Sequence, residues 1–165
     1  MKDFFLDYKY SFGYIAAIAI ANIGFTYLPM ISIGNQMLAP MSFLIGFVFV
    51  LRDFSQREIG HKVLAAMAVG AVLSYIMAAP FVAIASSVAF LISELCDWGM
   101  YTYTKRPLKD RILLSSAIGT PIDSAVFMLM LGFFSWYGLA IMFASKMVGA
   151  LIVWYLMADD NEVYI

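Results

Sequence analysis

The chain has 165 residues, 64% of them hydrophobic and 13% charged, with a formal net charge of −1. An ordinary soluble domain carries roughly 45–50% apolar and about 25% charged residues, so this composition excludes a water-soluble globule and points to a single all-α membrane domain over residues 1–165. A lone cysteine, Cys96, excludes an internal disulfide and leaves neither zinc nor iron–sulfur spacing; no metal and no cofactor is expected.

Taken in order, the first residues, "MKDFFLDYKYSFGY", mix acids and bases and run into a full-length apolar segment with no small-residue cleavage site. The first helix is therefore expected to stay in the protein, behind a cytoplasmic segment of residues 1–11. Apolar blocks near 12–31, 37–54, 62–79, 81–101, 111–134 and 137–157 predict six transmembrane helices, each close to the ~20 residues that cross ~30 Å of hydrocarbon. Span one carries Asn22 near mid-depth, with Thr26 and Pro29 on the same face. Ala17 and Ala21 stand at small-xxx-small spacing, a surface for a homo-oligomer or an ATPase partner. Gln36 lies in the outer joint that follows.

The joint after span two holds Arg52, Asp53, Arg57, Glu58 and Gly60, a set expected to pair locally at the membrane edge and to serve gating or helix-end pairing rather than direct binding. His61 beside it reads as an interfacial side chain. Span four presents Ser86, Phe90, Ser93, Glu94, Asp97 and Tyr101 on one face, with Trp98 alongside. The next joint, "KRPLKDR", reads as a topology signal rather than a nucleic-acid or headgroup patch. Span five, "SSAIGTPIDSAVFMLM", places Ser116, Thr120, Asp123 and Phe127 in one stripe, and Gly119 and Pro121 predict a helix kinked or locally unwound near mid-membrane. Such interrupted helices offer freed backbone groups to a substrate in transporters. Span six contains Lys146. Counting from a turn at Ser135, Asp123 lies ~18 Å and Lys146 ~16 Å down two antiparallel helices at ~1.5 Å per residue, so the two are expected at matched depth. Residues 158–165 form a cytoplasmic tail.

The bases outside these spans are Lys2, Lys9, Arg57, Lys62, Lys105, Arg106, Lys109 and Arg111, all on one side, while "SIGNQ", "AAPF" and "FFSWYG" contain none. The positive-inside rule then places both termini in the cytoplasm. Charged residues within spans cost ~2.5–3.5 kcal/mol each on insertion scales and normally face a partner or a cavity. A Lys146–Asp123 pair accounts for one acid and one base; Glu94 and Asp97 remain without an obvious partner. Carboxylates accept from paired N–H donors, amides such as Asn22 and Gln36 do both, and Phe90, Trp98 or Phe127 can stack on a flat ring. The chemistry fits a planar, donor-rich heterocycle or a small organic cation.

The strings "VLRDFSQREIGHK", "ISELCDWGMYTYTKR", "SSAIGTPIDSAVFMLMLGF" and "ASKMVGALIVW", in this order, together with Asn22 in "IANIGF", resemble the signature blocks of the queuosine precursor transporter family, also called the vitamin uptake transporter family. The resemblance implies six spans in a bacterial-type inner membrane and uptake of 7-deazaguanine bases such as preQ0 or preQ1. It also implies that Asp53, Gly60, Asp97, Asp123 and Lys146 stand at family positions. The chain has no "G-x-x-x-x-G-K-[ST]" loop, so the alternative to a self-sufficient carrier is a substrate-binding subunit that borrows an ATPase. A non-transporting accessory membrane protein is the third reading. Without a visible nucleophile–base set, no enzymatic function is expected.

Overall fold

The computed structural model describes residues 8–157, apart from 30, 34–35, 39, 80–81 and 105. Residues 1–7 of the expected N-terminal segment and the tail 158–165 lie outside the described residues, as does Lys105. Long, predominantly apolar segments dictate helix here, because in a bilayer a helix satisfies all of its backbone groups within the segment. The helices are α1 (Lys9–Tyr27), α2 (Met41–Ile59), α3 (Val63–Met77), α4 (Ala83–Tyr103), α5 (Leu108–Met130) and α6 (Trp136–Leu156). A short 3-10 turn, Gly60–Lys62, joins α2 to α3, so that Met41–Met77 is one helical stretch of 37 residues.

Four helical stretches are long and apolar enough to cross a membrane: Met41–Met77, Ala83–Tyr103, Leu108–Met130 and Trp136–Leu156. The distribution of side chains agrees with that assignment. Outward-facing residues include Ile20, Ile76, Ile84, Leu129, Leu151 and Leu156, whereas Arg52, Asp53, Ser93, Glu94, Asp97, Ser115 and Thr120 are buried. Water would reverse this arrangement; a hydrocarbon solvent favours it.

One local departure from an all-helical chain lies between α1 and α2, where β1 (Ile31–Ile33) pairs antiparallel with β2 (Gln36–Leu38) in the register Ile31↔Leu38 and Ile33↔Gln36. The alternating "ISI" and "QML" flank Gly34 and Asn35, residue types suited to a two-residue hairpin connection. Span two therefore does not start at residue 37. Its helix begins at Met41 after Pro40, whose missing N–H costs nothing at a helix start, and continues five residues past 54 to Ile59. Gly60 ends it with φ +59°, a conformation only glycine adopts freely.

Packing places α2 at the centre, in contact with α1, α4, α5 and α6. Two apolar clusters flank it. Val48 joins Tyr14, Ala17, Ile18, Val63, Met67 and Phe90; Val50 joins Tyr101, Leu108, Ile112, Met147 and Ala150. Gly46 of α2 packs against the backbone of Lys146 on α6, and a Cβ added to Gly149 would stand 2.8 Å from the Gly46 carbonyl carbon, so neither glycine has room for a side chain. The small-xxx-small pair on α1 serves the same end internally: Ala17 and Ala21 are buried within the bundle, so the partner surface expected there is already covered by this chain.

Glu58 fastens the start of α1 to the end of α2. Its carboxylate accepts from the amides of Tyr10 (3.1 Å) and Ser11 (2.9 Å) and from the Ser11 hydroxyl (2.6 Å), a negative charge at the unsatisfied N–H end of a helix. Ser55 adds a hydroxyl contact to Ser11 at 2.8 Å, and Tyr10 stacks on Phe54.

Candidate functional site: a buried ion network

Arg52 projects from α2 into the interior, where water cannot solvate it. The side chain is 0% exposed, as are Asp53, Glu94 and Asp97, the three carboxylates around it. Nη1 contacts Asp53 Oδ1 at 2.8 Å, Nε contacts Glu94 Oε2 at 3.3 Å, and Nη2 pairs with Asp97 Oδ2. Nη1 also donates to Gln56 Oε1 at 2.8 Å, one turn along α2, and Gln56 donates to Thr102 Oγ1 at 2.8 Å. From α5, the Ser115 hydroxyl donates to Asp53 Oδ2 at 2.6 Å. The expected local pairing of Arg52 with Asp53 is present, and Arg52 reaches beyond it: α2 continues to Ile59, and the buried guanidinium is the partner that Glu94 and Asp97 lack in the sequence.

The second centre is Lys146 of α6, whose Nζ pairs with Asp123 Oδ2 and donates to Ser124 Oγ at 2.9 Å. The matched depth counted from the turn at Ser135 brings these two side chains together. Lys146 is 3% exposed and Asp123 16%, which makes Asp123 the most accessible carboxylate of the two centres. The two centres draw on α2, α4, α5 and α6, and Asp53 of the first is bonded to Ser115 on the helix that carries Asp123 of the second. Tyr14 of α1 stands beside Glu94 without making an aligned hydrogen bond. Between the Ser115 and Asp123 positions on α5, the buried hydroxyls of Ser116 and Thr120 have no partner.

The remaining expected site residues divide. Gly119 does not break α5, which is helical without interruption from Leu108 to Met130, with Pro121 inside it. Its role is contact: a Cβ there would stand 3.2 Å from Asp97 Cβ and 3.3 Å from a Phe49 ring carbon, so the missing side chain lets α5 close on the network. The local unwinding expected at Pro121 is absent, since the helix runs through it without interruption. Pro121 and Ala117 instead line an apolar groove of about 280 Å³ with Trp136, Leu139, Ala140 and Phe143; Asp123 is not part of its wall.

The aromatics expected around a ligand do not converge. Phe90 is buried in the first apolar cluster, Trp98 packs against that cluster with its ring edge-on to His61 at 5.7 Å, and Phe127 contacts Phe133. Asn22 donates to Ile18 O at 2.9 Å and Ser74 Oγ at 3.3 Å, stitching α1 to α3 away from the carboxylates. Gln36 is in β2, outside every long helix, and its side chain lies outside the described residues. Glu58 caps α1, Gly60 is the positive-φ stop after α2, and Arg57 occupies the exposed last turn of α2. Residues missed by sequence reasoning are Ser115, Ser124 and Tyr14. The doublets "SS" and "DS" in span five carried the signal for the two serines, since each lies beside a residue of the polar stripe.

Chemically, the network offers carboxylate acceptors held at fixed positions, with charged donors already engaged to them. Among the described residues no three His, Cys, Asp or Glu side chains converge as metal ligands. Comparison of the chain with protein-family models, with curated proteins and with solved structures gives no match.

Breaking either centre on one side leaves an uncompensated buried charge, at a cost of about 3–5 kcal/mol. Arg52→Met and Lys146→Met are each expected to lower the denaturation midpoint in detergent sharply. Adding Asp123→Asn to Lys146→Met restores stability, with a coupling energy of about 0.5–3 kcal/mol in a double-mutant cycle. Strict additivity of the two changes contradicts the pairing.

Proposed function

We propose that this protein is a bacterial-type inner-membrane carrier that imports a small planar heterocycle of the 7-deazaguanine class, a queuosine precursor, without catalysing a reaction. The observation that carries the proposal is the buried ion network: four carboxylates and two cationic side chains in the interior of an apolar-surfaced bundle. Intramembrane ionisable groups are expensive and normally mark a solute path. The resemblance of the blocks bearing Asp53, Asp97, Asp123 and Lys146 to the queuosine precursor transporters supports the substrate class. In this reading Asp123, the acid with residual exposure, accepts from the ring N–H and amino group of the base, while Lys146 holds the carboxylate in place. The alternative of a substrate-binding subunit that borrows an ATPase would need a partner surface other than Ala17 and Ala21, which are buried within the bundle.

The carrier has six crossings, with α1 and the two halves of Met41–Met77 each spanning, and both termini cytoplasmic. The one-sided distribution of Lys and Arg in the joints supports this topology. In a background lacking Cys96, a cysteine at Phe133 is expected to react with an impermeant reagent from outside, and one at Arg106 only after permeabilisation. External labelling at position 106 refutes the topology.

Function is tested in cells that cannot make 7-deazaguanine bases but can insert them into tRNA. Wild-type chain restores the modified nucleoside at low external precursor. Asp123→Asn turns an acceptor into a donor facing a donor, a loss of about 2–4 kcal/mol, or roughly thirty- to several-hundredfold in affinity, and restoration then requires correspondingly more precursor. A well-expressed wild-type chain that never restores the nucleoside refutes the substrate class. Loss of stability without any change in uptake across the network variants supports an accessory protein instead.

A further inference from the structure

The charges of the Arg52 centre do not balance. One guanidinium faces three carboxylates, all fully buried, and Lys146 is already committed to Asp123. Like charges sharing a buried site keep a proton between them, and one proton leaves the guanidinium against two carboxylates, Asp53 and Asp97, both in direct contact with it. We infer that the network is a proton-binding site and that the proton resides on the Glu94 carboxyl.

Geometry selects Glu94 among the three. Asp53 has a 2.8 Å contact to Arg52 Nη1 and a 2.6 Å bond from Ser115, and Asp97 is in direct contact with Nη2. Glu94 is the weakest partner: at 3.3 Å from Nε it is the carboxylate farthest from the guanidinium, and, as for Asp97, neither of its oxygens accepts an aligned hydrogen bond. Its surroundings suit a neutral acid. The groups facing it are Arg52 and Asp53 from α2, Asp97 one turn away on α4, Tyr14 from α1, and Asp123 from α5, which Lys146 of α6 neutralises. The only titratable residue of α3, Tyr75, is exposed. A second observation points to an exchangeable ligand here: the Tyr14 hydroxyl beside Glu94 and the Ser116 and Thr120 hydroxyls of the α5 stripe are fully buried and unpartnered. Tyr14 can accept from a protonated Glu94, and the α5 hydroxyls extend the polar stripe toward Asp123, the accessible acid.

In a carrier such a site couples transport to the proton gradient. A proton taken from water on one side rides on the Glu94 oxygen and leaves to water on the other, moving one positive charge with each turnover. This coupling rests on the carrier reading above; the proton site itself does not.

Infrared difference spectroscopy of the purified protein tests the site directly. At neutral pH the wild type is expected to show the carbonyl stretch of a protonated carboxylic acid, shifted in deuterated water, and Glu94→Gln abolishes it. Gln copies the shape and hydrogen bonding of the neutral acid, so Glu94→Gln retains the wild-type melting temperature, whereas Asp97→Asn removes an ionised partner of Arg52 and lowers it. Absence of the band, its persistence in Glu94→Gln, or a Glu94→Gln chain that melts early or fails to fold overturns the inference. For coupling, proteoliposomes enclosing a pH-sensitive dye receive external 7-deazaguanine. Acidification of the lumen with wild type and none with Glu94→Gln is the expected result. Uptake without acidification overturns the coupling and spares the carrier; an infrared band without any uptake overturns the carrier reading and its coupling while the proton site stands.

Discussion

A guanidinium that must find its counter-charges inside an apolar shell is the constraint around which this bundle is arranged. Arg52 reaches carboxylates on its own helix and on α4, and Asp53 beside it is held by a serine of α5. No one of these helices can shift along another without separating charges in a medium that cannot screen them. In a bilayer, apolar contact between helices gains little over contact with lipid, so register has to come from close packing and polar pairing. The glycines supply the first and the ion network the second. Gly46 and Gly149 bring α2 onto α6 backbone to backbone, and Gly119 lets α5 approach Asp97.

The same arrangement separates two jobs. The Arg52 centre is closed, fully buried and tied to four neighbouring side chains, which suits a fixed electrostatic core. The Lys146–Asp123 pair is simpler and keeps one acid partly accessible, which suits a group that changes partner. Hydroxyls of α5 lie between them, and Glu94 is close enough to Asp123 to feel its charge.

Much of this was legible in the residues. Apolar block lengths located the six α-helices of the described residues to within five residues at each end, since hydropathy and backbone satisfaction act locally. The Lys146–Asp123 encounter followed from counting along two helices about one tight turn. The reach of Arg52 to Glu94 and Asp97 was hidden because "RDFSQRE" offers it local partners, and local charge density does not show which way along the bundle a side chain is buried. Charge balance held the missing clue: of ten Lys and Arg, eight lie outside the expected spans, leaving Arg52 as the only base besides Lys146 available to Glu94 and Asp97. Gly119 and Pro121 suggested a broken helix by intrinsic propensity, but α5 stays continuous because tertiary contact, here against Asp97 and Phe49, outweighs it. The hairpin of β1 and β2 was hidden by reading its apolar residues as the start of span two.

The central claim is that the ion network recognises a flat, donor-rich base, and ligand-dependent stability measures it most directly. Thermal denaturation of the purified chain against 7-deazaguanine, guanine, adenine and a small organic cation separates the possibilities without requiring transport. A ligand at a hundred times its dissociation constant stabilises the folded state by ~2.7 kcal/mol. The account predicts a concentration-dependent rise in melting temperature with 7-deazaguanine, reduced in Asp123→Asn and absent with adenine, whose ring edge lacks the N–H beside an amino group. Equal shifts for all four compounds, or none for 7-deazaguanine at millimolar concentration, would contradict it.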